Sequence, residues 1–440
     1  MERRNFLGHL AAGTAAAGLA GALPVGAQVR TPAAELNAFK AADFGAVGNG
    51  IADDTAALQR AIDEADRIGG GKIHLEGSLG RTFKCGGPLS LDAKRGVILS
   101  GNPVASGVQN VQMIFAGRSG PFISLKSAYA ITFEGIKITY SDRSFSGSLV
   151  ETGHSSLKAD ASFLLFERCW FIGSGGADSA ETLLSLPLCI FATVRNCFFQ
   201  GSNTAISGRP GAYSNTIQIT DCTFARQRTV PIRNGGESWL ISGCAFEPLA
   251  GGRAGAYRQE AGTTAYALVI IGCWMGDVSA GGGCWIDLSG APALGLNIIG
   301  NRIAAAGTGN DTAVKIGKGN QGVNIAGNRM EGPICIDFTS PYVFGASITG
   351  NDLQGGVPIA HLENAVPRFV AGQYTTQNHM SGITNFGTGI FSNDGGARGS
   401  IQLLAQPPGS PTNPQDGDMW TAAGNLFIRL NGVTKKVVLT

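Results

Sequence analysis

One six-residue frame returns eight times between Leu164 and Leu353, and nothing else in the chain narrows its fold as much. The first four copies are Phe166-Glu167-Arg168-Cys169-Trp170-Phe171, Val194-Arg195-Asn196-Cys197-Phe198-Phe199, Ile219-Thr220-Asp221-Cys222-Thr223-Phe224 and Ile241-Ser242-Gly243-Cys244-Ala245-Phe246. The later four are Ile270-Ile271-Gly272-Cys273-Trp274-Met275, Ile298-Ile299-Gly300-Asn301-Arg302-Ile303, Ile325-Ala326-Gly327-Asn328-Arg329-Met330 and Ile348-Thr349-Gly350-Asn351-Asp352-Leu353. Their central residues, Cys169 to Asn351, are spaced by 28, 25, 22, 29, 28, 27 and 23. A repeat of this length without helical periodicity is the signature of a solenoid. Each copy has an apolar residue three before the centre and another two after it, with a polar or glycine-bearing bend between. That alternation predicts short strands flanking a turn, one face buried. Coils stacked about 4.8 Å apart superimpose equivalent residues. The columns Phe166 to Ile348 and Phe171 to Leu353 then fill the interior. The expected fold class is all-β: a right-handed, single-stranded parallel β-helix, its hand set by the crossover rule.

The central column holds five thiols followed by three amides. An asparagine at a bend satisfies turn backbone groups and bonds to the asparagine of the next coil. A buried cysteine is a small, polarizable hydrophobe that stacks in the same slot. A structural role is therefore expected, with no metal site. The nine cysteines are odd in number and include no CxxC pair or zinc-type spacing. Parallel Cβ vectors also argue against systematic disulfides, although neighbouring coils lie within bonding separation. The five histidines form no HxH or HExxH.

A chain of 440 residues with 66 glycines and 43% hydrophobic residues is large enough for a continuous solenoid core. A formal net charge of +2 gives no footprint for nucleic acid. The start, Glu2-Arg3-Arg4-Asn5-Phe6-Leu7-Gly8, resembles a bacterial twin-arginine export signal. An Ala/Gly-rich stretch runs to Leu23, and Val25-Gly26-Ala27 has small residues where a peptidase would cut before Gln28. Residues 1–27 are thus expected to be a signal peptide, and the mature protein periplasmic or secreted. The stretch is too short and too poor in bulky apolar residues to span a bilayer. Such signals carry folded proteins, so buried thiols would reach the periplasm without meeting oxidants.

Further on, Asp43-Phe44-Gly45-Ala46-Val47-Gly48-Asn49-Gly50-Ile51-Ala52-Asp53-Asp54-Thr55 reads as a strand and a glycine-dense turn. A helix should follow, capped by Asp53 or Asp54, with Leu58, Ile62 and Ala65 on its apolar face. Gly69-Gly70-Gly71 stops it, and Lys72-Ile73-His74-Leu75 alternates as a strand. A helix here would plug the open end of the solenoid. This segment resembles the opening motif of the pectate-lyase superfamily, shared by rhamnogalacturonase-like enzymes, phage tailspike depolymerases and related epimerases. Asn49 replaces the usual aspartate, and Glu76-Gly77-Ser78-Leu79-Gly80-Arg81-Thr82-Phe83 replaces the usual P-x-G-x-Y. The resemblance implies the pectin-lyase-like fold and its cap, and leaves the reaction open. The β-helix is expected over 38–364, a connector with a Pro-rich linker over 365–414, and a small β-hairpin module over 415–440 with an Asn431-Gly432 turn. That module is too small to hold its own core and resembles terminal modules of surface fibres, so association as a homotrimer is one expectation.

Polysaccharide-active β-helices bind substrate on an outer face or in clefts between loops, which is what the resemblance implies here. A polysaccharide is the expected substrate. Such a groove needs acidic groups for proton transfer, or basic residues with cation-supported carboxylates for a uronate. The middle of the chain is densest in both. Asp221, Glu237, Glu247 and Glu260 are the candidate catalytic carboxylates; Arg195, Arg226, Arg228, Arg233, Tyr257 and Arg258 are the candidate substrate-binding residues. Glu167, Arg253 and Asp277 add charge, Trp239 is a second stacking ring, and His154 is a candidate base on an early loop. Each has a blander role as a solvated charge or a rung between coils. No cofactor is expected, except a calcium ion should the reaction be elimination. The N-T-D, D-D, G-H-G and R-I-K order of polygalacturonases is missing, so that mechanism does not carry over. The expected function is cleavage or modification of a polysaccharide by a hydrolase or lyase; the alternative is a non-catalytic glycan-binding or fibre-like protein.

Overall fold

The computed structural model describes residues 37–366 except 77–79, 102–110, 154–159, 174–180, 209–213, 248–254, 277–282, 306–310, 342 and 362–363, and also 379–381 and 419–437 except 423–424 and 431. The export signal, His154, Arg253, Asp277 and the Pro-rich linker lie outside the described residues.

The repeated frame folds as its alternation requires. Each copy contributes the end of one strand, a corner and the start of the next, as in Ala161–Glu167 followed by Trp170–Ile172. Successive coils pair in parallel register, Phe166 with Val194 and Phe171 with Phe199. The first strands of the coils build a 14-stranded sheet, and the other two strands of each coil build a 22-stranded one. The larger sheet forms a second and a third face, joined by the strand Arg329–Phe338, which pairs along both. This is a right-handed parallel β-helix.

The interior columns are the predicted ones. Phe171, Phe199, Phe224 and Phe246 stack with centroids 4.9, 5.1 and 4.9 Å apart and planes within 8°. In the central column Asn328 donates through Nδ2 to Asn351 Oδ1 at 2.9 Å and accepts from the Asn301 N–H at 2.9 Å. Thiols fill the same role in the earlier coils, where Cys197 Sγ accepts the Cys169 N–H at 3.4 Å. At the junction Cys273 N–H donates to Asn301 Oδ1 at 2.9 Å. All nine cysteines are buried and free.

Two columns of left-handed backbone shape the first sheet. One forms its corner with the second face: Gly135, Arg168, Asn196, Asp221, Gly243 and Gly272 all have φ between 52° and 65°. The other bends the sheet in mid-strand, through Ala130, Phe163, Phe191, Thr216, Ser238 and Ala267 at φ 51–58°. Asparagine, aspartate and glycine suit such positions, whereas a phenylalanine there is an outlier.

The helix Thr55–Arg67 buries Ala57, Leu58, Ala61, Ile62 and Ala65. The paired aspartates divide the labour. Asp53 accepts the N–H and hydroxyl of Thr55 and the N–H of Gly86, tying the helix start to the coil above. Asp54 is buried and accepts the N–H groups of Val47 and Gly48 at 2.6 and 3.1 Å, so it holds the glycine turn and does not cap the helix. Gly48 has φ 63°, and a β-carbon on it would meet the Phe83 ring at 2.9 Å. Asn49 does the work of the usual aspartate: its Oδ1 accepts from Ile51 and Ala52, both at 2.9 Å.

The bonds from Gly86 and Thr55 hold the Asp53 carboxyl below its usual 3.8. Its stabilisation is therefore fully present above that value and lost as pH falls through the lowered one. Wild type should melt higher than Asp53→Asn at neutral pH, and the gap should close in acid below 3.8. A gap unchanged by acid would count against this role.

Past Asn364, Ala365–Val366 pairs with Val343–Phe344, and His379–Ser381 pairs with Asp352–Ala360. At the end of the chain Met419–Ala422, Asn425–Leu430 and Val433–Val437 form an antiparallel three-stranded sheet, with Gly432 at φ 72° in its second turn.

Candidate functional site

The four sequence-predicted carboxylates do not converge. Asp221 occupies the left-handed corner between the first and second faces and lies against Gly243, where a β-carbon would meet its Oδ1 at 2.6 Å. Glu237 is exposed at the start of Glu237–Ser242 on the first sheet and accepts from Asn215 Nδ2 at 3.2 Å. Glu247 is exposed on the second face, at the end of Ala245–Glu247. Glu260 follows the third face.

Three of the substrate-contact assignments need correction. Tyr257 is 1% exposed, in register with Ile232 and Ile286 in an interior column. Its hydroxyl donates to Gln259 and accepts the Gly235 N–H, so it offers no ring to a sugar. Trp239 is likewise buried, paired in register with Ile217. Arg228 spans 2.7 Å to Glu181, which is fully buried and also accepts from Tyr140 at 2.9 Å. That guanidinium is committed to the fold. Arg226 is exposed, and its N–H donates to the Glu247 carbonyl.

Two charged clusters do form. On the third face Arg233 and Arg258 are in register on neighbouring coils, followed by Asp287, Lys315 and Asp337. Arg233 lies 3.7 Å from Glu260 and Arg258 3.5 Å from Asp287. Asn234 and Glu260 hold each other by two reciprocal bonds, at 2.9 and 3.1 Å. The Nε atoms of both arginines are buried without a hydrogen-bond partner among the described residues.

The second cluster runs along the outer edge of the first sheet. His74, Ser100, Glu134, Glu167, Arg195 and Thr220 occupy equivalent positions on six successive coils. Glu134 takes bonds from Lys72 at 2.6 Å and Ser100 at 2.7 Å. Glu167 lies 3.1 Å from Arg195 and 3.9 Å from Arg168. Burial opposes ionisation of Glu134, but the bonds from Lys72 and Ser100 outweigh it and hold its carboxyl below the usual range. It therefore stays an acceptor at neutral pH and does not act as a proton donor. The result is two carboxylates on adjacent rungs, about 4.8 Å apart at the backbone, flanked by Lys72, Arg168 and Arg195. Such a set can hold an anionic polymer by its charges and take up a proton at a carboxylate. Sequence reading reached Glu167 and Arg195. It missed Glu134, Lys72 and Ser100, whose coils precede the clear copies of the frame.

No family model matches the chain. Among curated proteins, short stretches match mannuronan C5-epimerases of Azotobacter vinelandii. AlgE1 is 42% identical over 72 residues, 16% of this chain and 5% of that protein; AlgE4 is 42% identical over 65 residues, 14% and 12%. The match thus spans a small part of those relatives' length. Among solved structures, the A-module of the Azotobacter vinelandii mannuronan C-5 epimerase AlgE6 aligns over 78% of this chain and 98% of its own, at 16% identity and TM-score 0.47. The Streptococcus pneumoniae surface adhesin PfbA aligns over 92% and 100%, at 14% identity and TM-score 0.44.

Proposed function

We propose that this chain is an exported, carbohydrate-active β-helix protein that binds an acidic polysaccharide along the outer edge of its first sheet and cleaves or modifies it there. The observation that carries the reading is the cluster of Lys72, Glu134, Glu167, Arg168 and Arg195, in which Glu134 and Glu167 sit on adjacent rungs and the three cations flank them. Lys72, Arg168 and Arg195 would neutralise a uronate carboxylate, which acidifies the adjacent C–H bond. Glu167 would accept that proton once the substrate draws Arg195 away from it, and the electron pair left at C5 would either expel the 4-O-linked sugar to give an unsaturated uronate or take a proton back at C5. The short match to mannuronan C5-epimerases makes mannuronan the first polymer to try. The twin-arginine start supports export to the periplasm or beyond.

Binding without turnover is the rival reading, favoured by the fact that both carboxylates already carry cation partners. Kinetics of single variants on mannuronan and polygalacturonate separate the two. Glu167→Gln should lower product formation by about a hundredfold or more, and Arg195→Ala should act chiefly by raising KM. Rates unmoved by both substitutions would overturn the assignment to this edge.

A further inference from the structure

The mid-strand column of left-handed residues is filled by small side chains or glycine on most coils, but by phenylalanine on two. Phe163 and Phe191 have φ 57° and 58°, a conformation costly for an aromatic residue, and they point out of the solenoid. Phe163 is 50% exposed, Phe191 36% and Tyr129 48%. Phe163 and Phe191 stack at 5.0 Å and 21°, and Tyr129 meets Phe163 edge-on at 5.2 Å. These rings bury no core and cap no end. The next rungs of the column carry Thr216 and Ser238, side chains too short to cover a ring. The apolar strip therefore ends in a step: one face of Phe191 looks over a shelf. That shelf is polar and already ordered. The Thr216 hydroxyl donates to Asn215 Oδ1 at 2.7 Å, and Asn215 Nδ2 donates to Glu237 Oε2 at 3.2 Å.

A flat apolar face beside a line of hydroxyl, amide and carboxylate groups is what a pyranose ring requires: C–H bonds against the ring, and hydroxyls toward planar polar side chains. We propose that Phe191, backed by Phe163 and Tyr129, seats one sugar ring of a glycan, and that Asn215, Thr216 and Glu237 bond its hydroxyls. The proposal rests on the polysaccharide reading above and extends it. Phe191 and Arg195 lie on the same strand, Cys189–Arg195. The seat and the charged edge are thus about 13 Å apart along it, within the reach of one short oligosaccharide. A second copy of this chain is a poorer occupant, because the apolar strip stops at Phe191 and polar side chains flank it.

The test is electrophoresis of the folded protein through native gels containing mannuronan, polygalacturonate or dextran. Phe191→Gly should weaken retention in at least one gel about fivefold to tenfold. Its melting temperature should hold or rise, because glycine adopts positive φ freely. Phe191→Trp should keep retention. Retention equal to wild type in Phe191→Gly and Phe163→Gly overturns the proposal, as does loss of folding in both, which would assign the rings a structural role. Loss of self-association with retention unchanged would give the surface to a second copy and likewise overturn it. The two readings fail separately. If Glu167→Gln lowers turnover while Phe191→Gly binds like wild type, the seat falls and the function stands. If Phe191→Gly loses retention while wild type yields no product from any polymer, the seat stands and turnover falls. Wild type retained in no gel overturns both.

Discussion

Asn328→Ala should destabilise the late coils by about 3–5 kcal/mol, from about 1–3 kcal/mol for each buried polar group left unpaired. The side chain is buried and makes bonds in three directions. Its Oδ1 accepts both the N–H and the Nδ2 of Asn301 at 2.9 Å, and its Nδ2 donates to the Ile298 carbonyl at 2.8 Å and to Asn351 Oδ1 at 2.9 Å. Alanine removes all of these where water has no access. Asn328→Cys should cost less, because in the early coils a thiol accepts the same backbone N–H, from Cys169 to Cys197 Sγ. A stacked array opens locally, so native-state amide exchange at Asn301 and its neighbours is the proper readout. A cost below about 1 kcal/mol for alanine would mean that the amide ladder is incidental to stability.

The second large effect concerns Glu181 and Arg228. Glu181→Ala should cost about 3–5 kcal/mol, because it removes one partner of a buried ion pair, the carboxylate that Arg228 meets at 2.7 Å. The Tyr140 hydroxyl, bonded to the same carboxylate, also loses that acceptor. The double variant Glu181→Leu with Arg228→Met should recover most of the loss, since a well-packed apolar pair is often no worse than a buried ion pair. Equal losses in single and double variants would show that the pair is not what Arg228 serves. The cycle also bears on function: Arg228→Met alone strands a buried carboxylate, so any fall in activity in that variant reports folding and not substrate contact.

What the sequence made legible follows from which positions repeat. The frame keeps its apolar residues at fixed offsets from one corner, so the interior columns of the first and second faces and the amide ladder can be read directly. The third face begins after loops of unequal length. Its inward column, Ile206, Ile232, Tyr257, Ile286 and Val314, therefore lies 9, 10, 13, 13 and 13 residues past the central residue of its frame and not at one fixed offset. Tyr257 then reads as a surface ring in a charged region, when it is a core residue with a satisfied hydroxyl. The mid-strand bend misleads in the opposite sense. Counted back from the frame, Phe163 and Phe191 face outward in step with the alternation, but the left-handed bend leaves Ser162 and Ile190 part-exposed as well and returns Ala161 and Cys189 to the interior, so the period of two fails on its N-terminal side. An apolar residue there reads as core by composition alone. Asp221 was legible, because glycine takes its place in five later copies of the frame and asparagine in the copy before. By that pattern it is first a corner residue. The charged edge was half visible, since the pairing of Glu134 with Lys72 links coils two turns apart.

Whether the edge from Lys72 to Arg195 acts on an acidic polysaccharide is decided most directly by incubating the purified mature protein with mannuronan and polygalacturonate. Three signals are followed together: ultraviolet absorbance from unsaturated uronates, new reducing ends, and uptake of solvent deuterium at the uronate C5. Wild type should give at least one of these signals, and Glu167→Gln should lose it. Folded wild-type protein that is retained by the polymers yet produces none of the three would contradict the proposed activity and leave a glycan-binding protein.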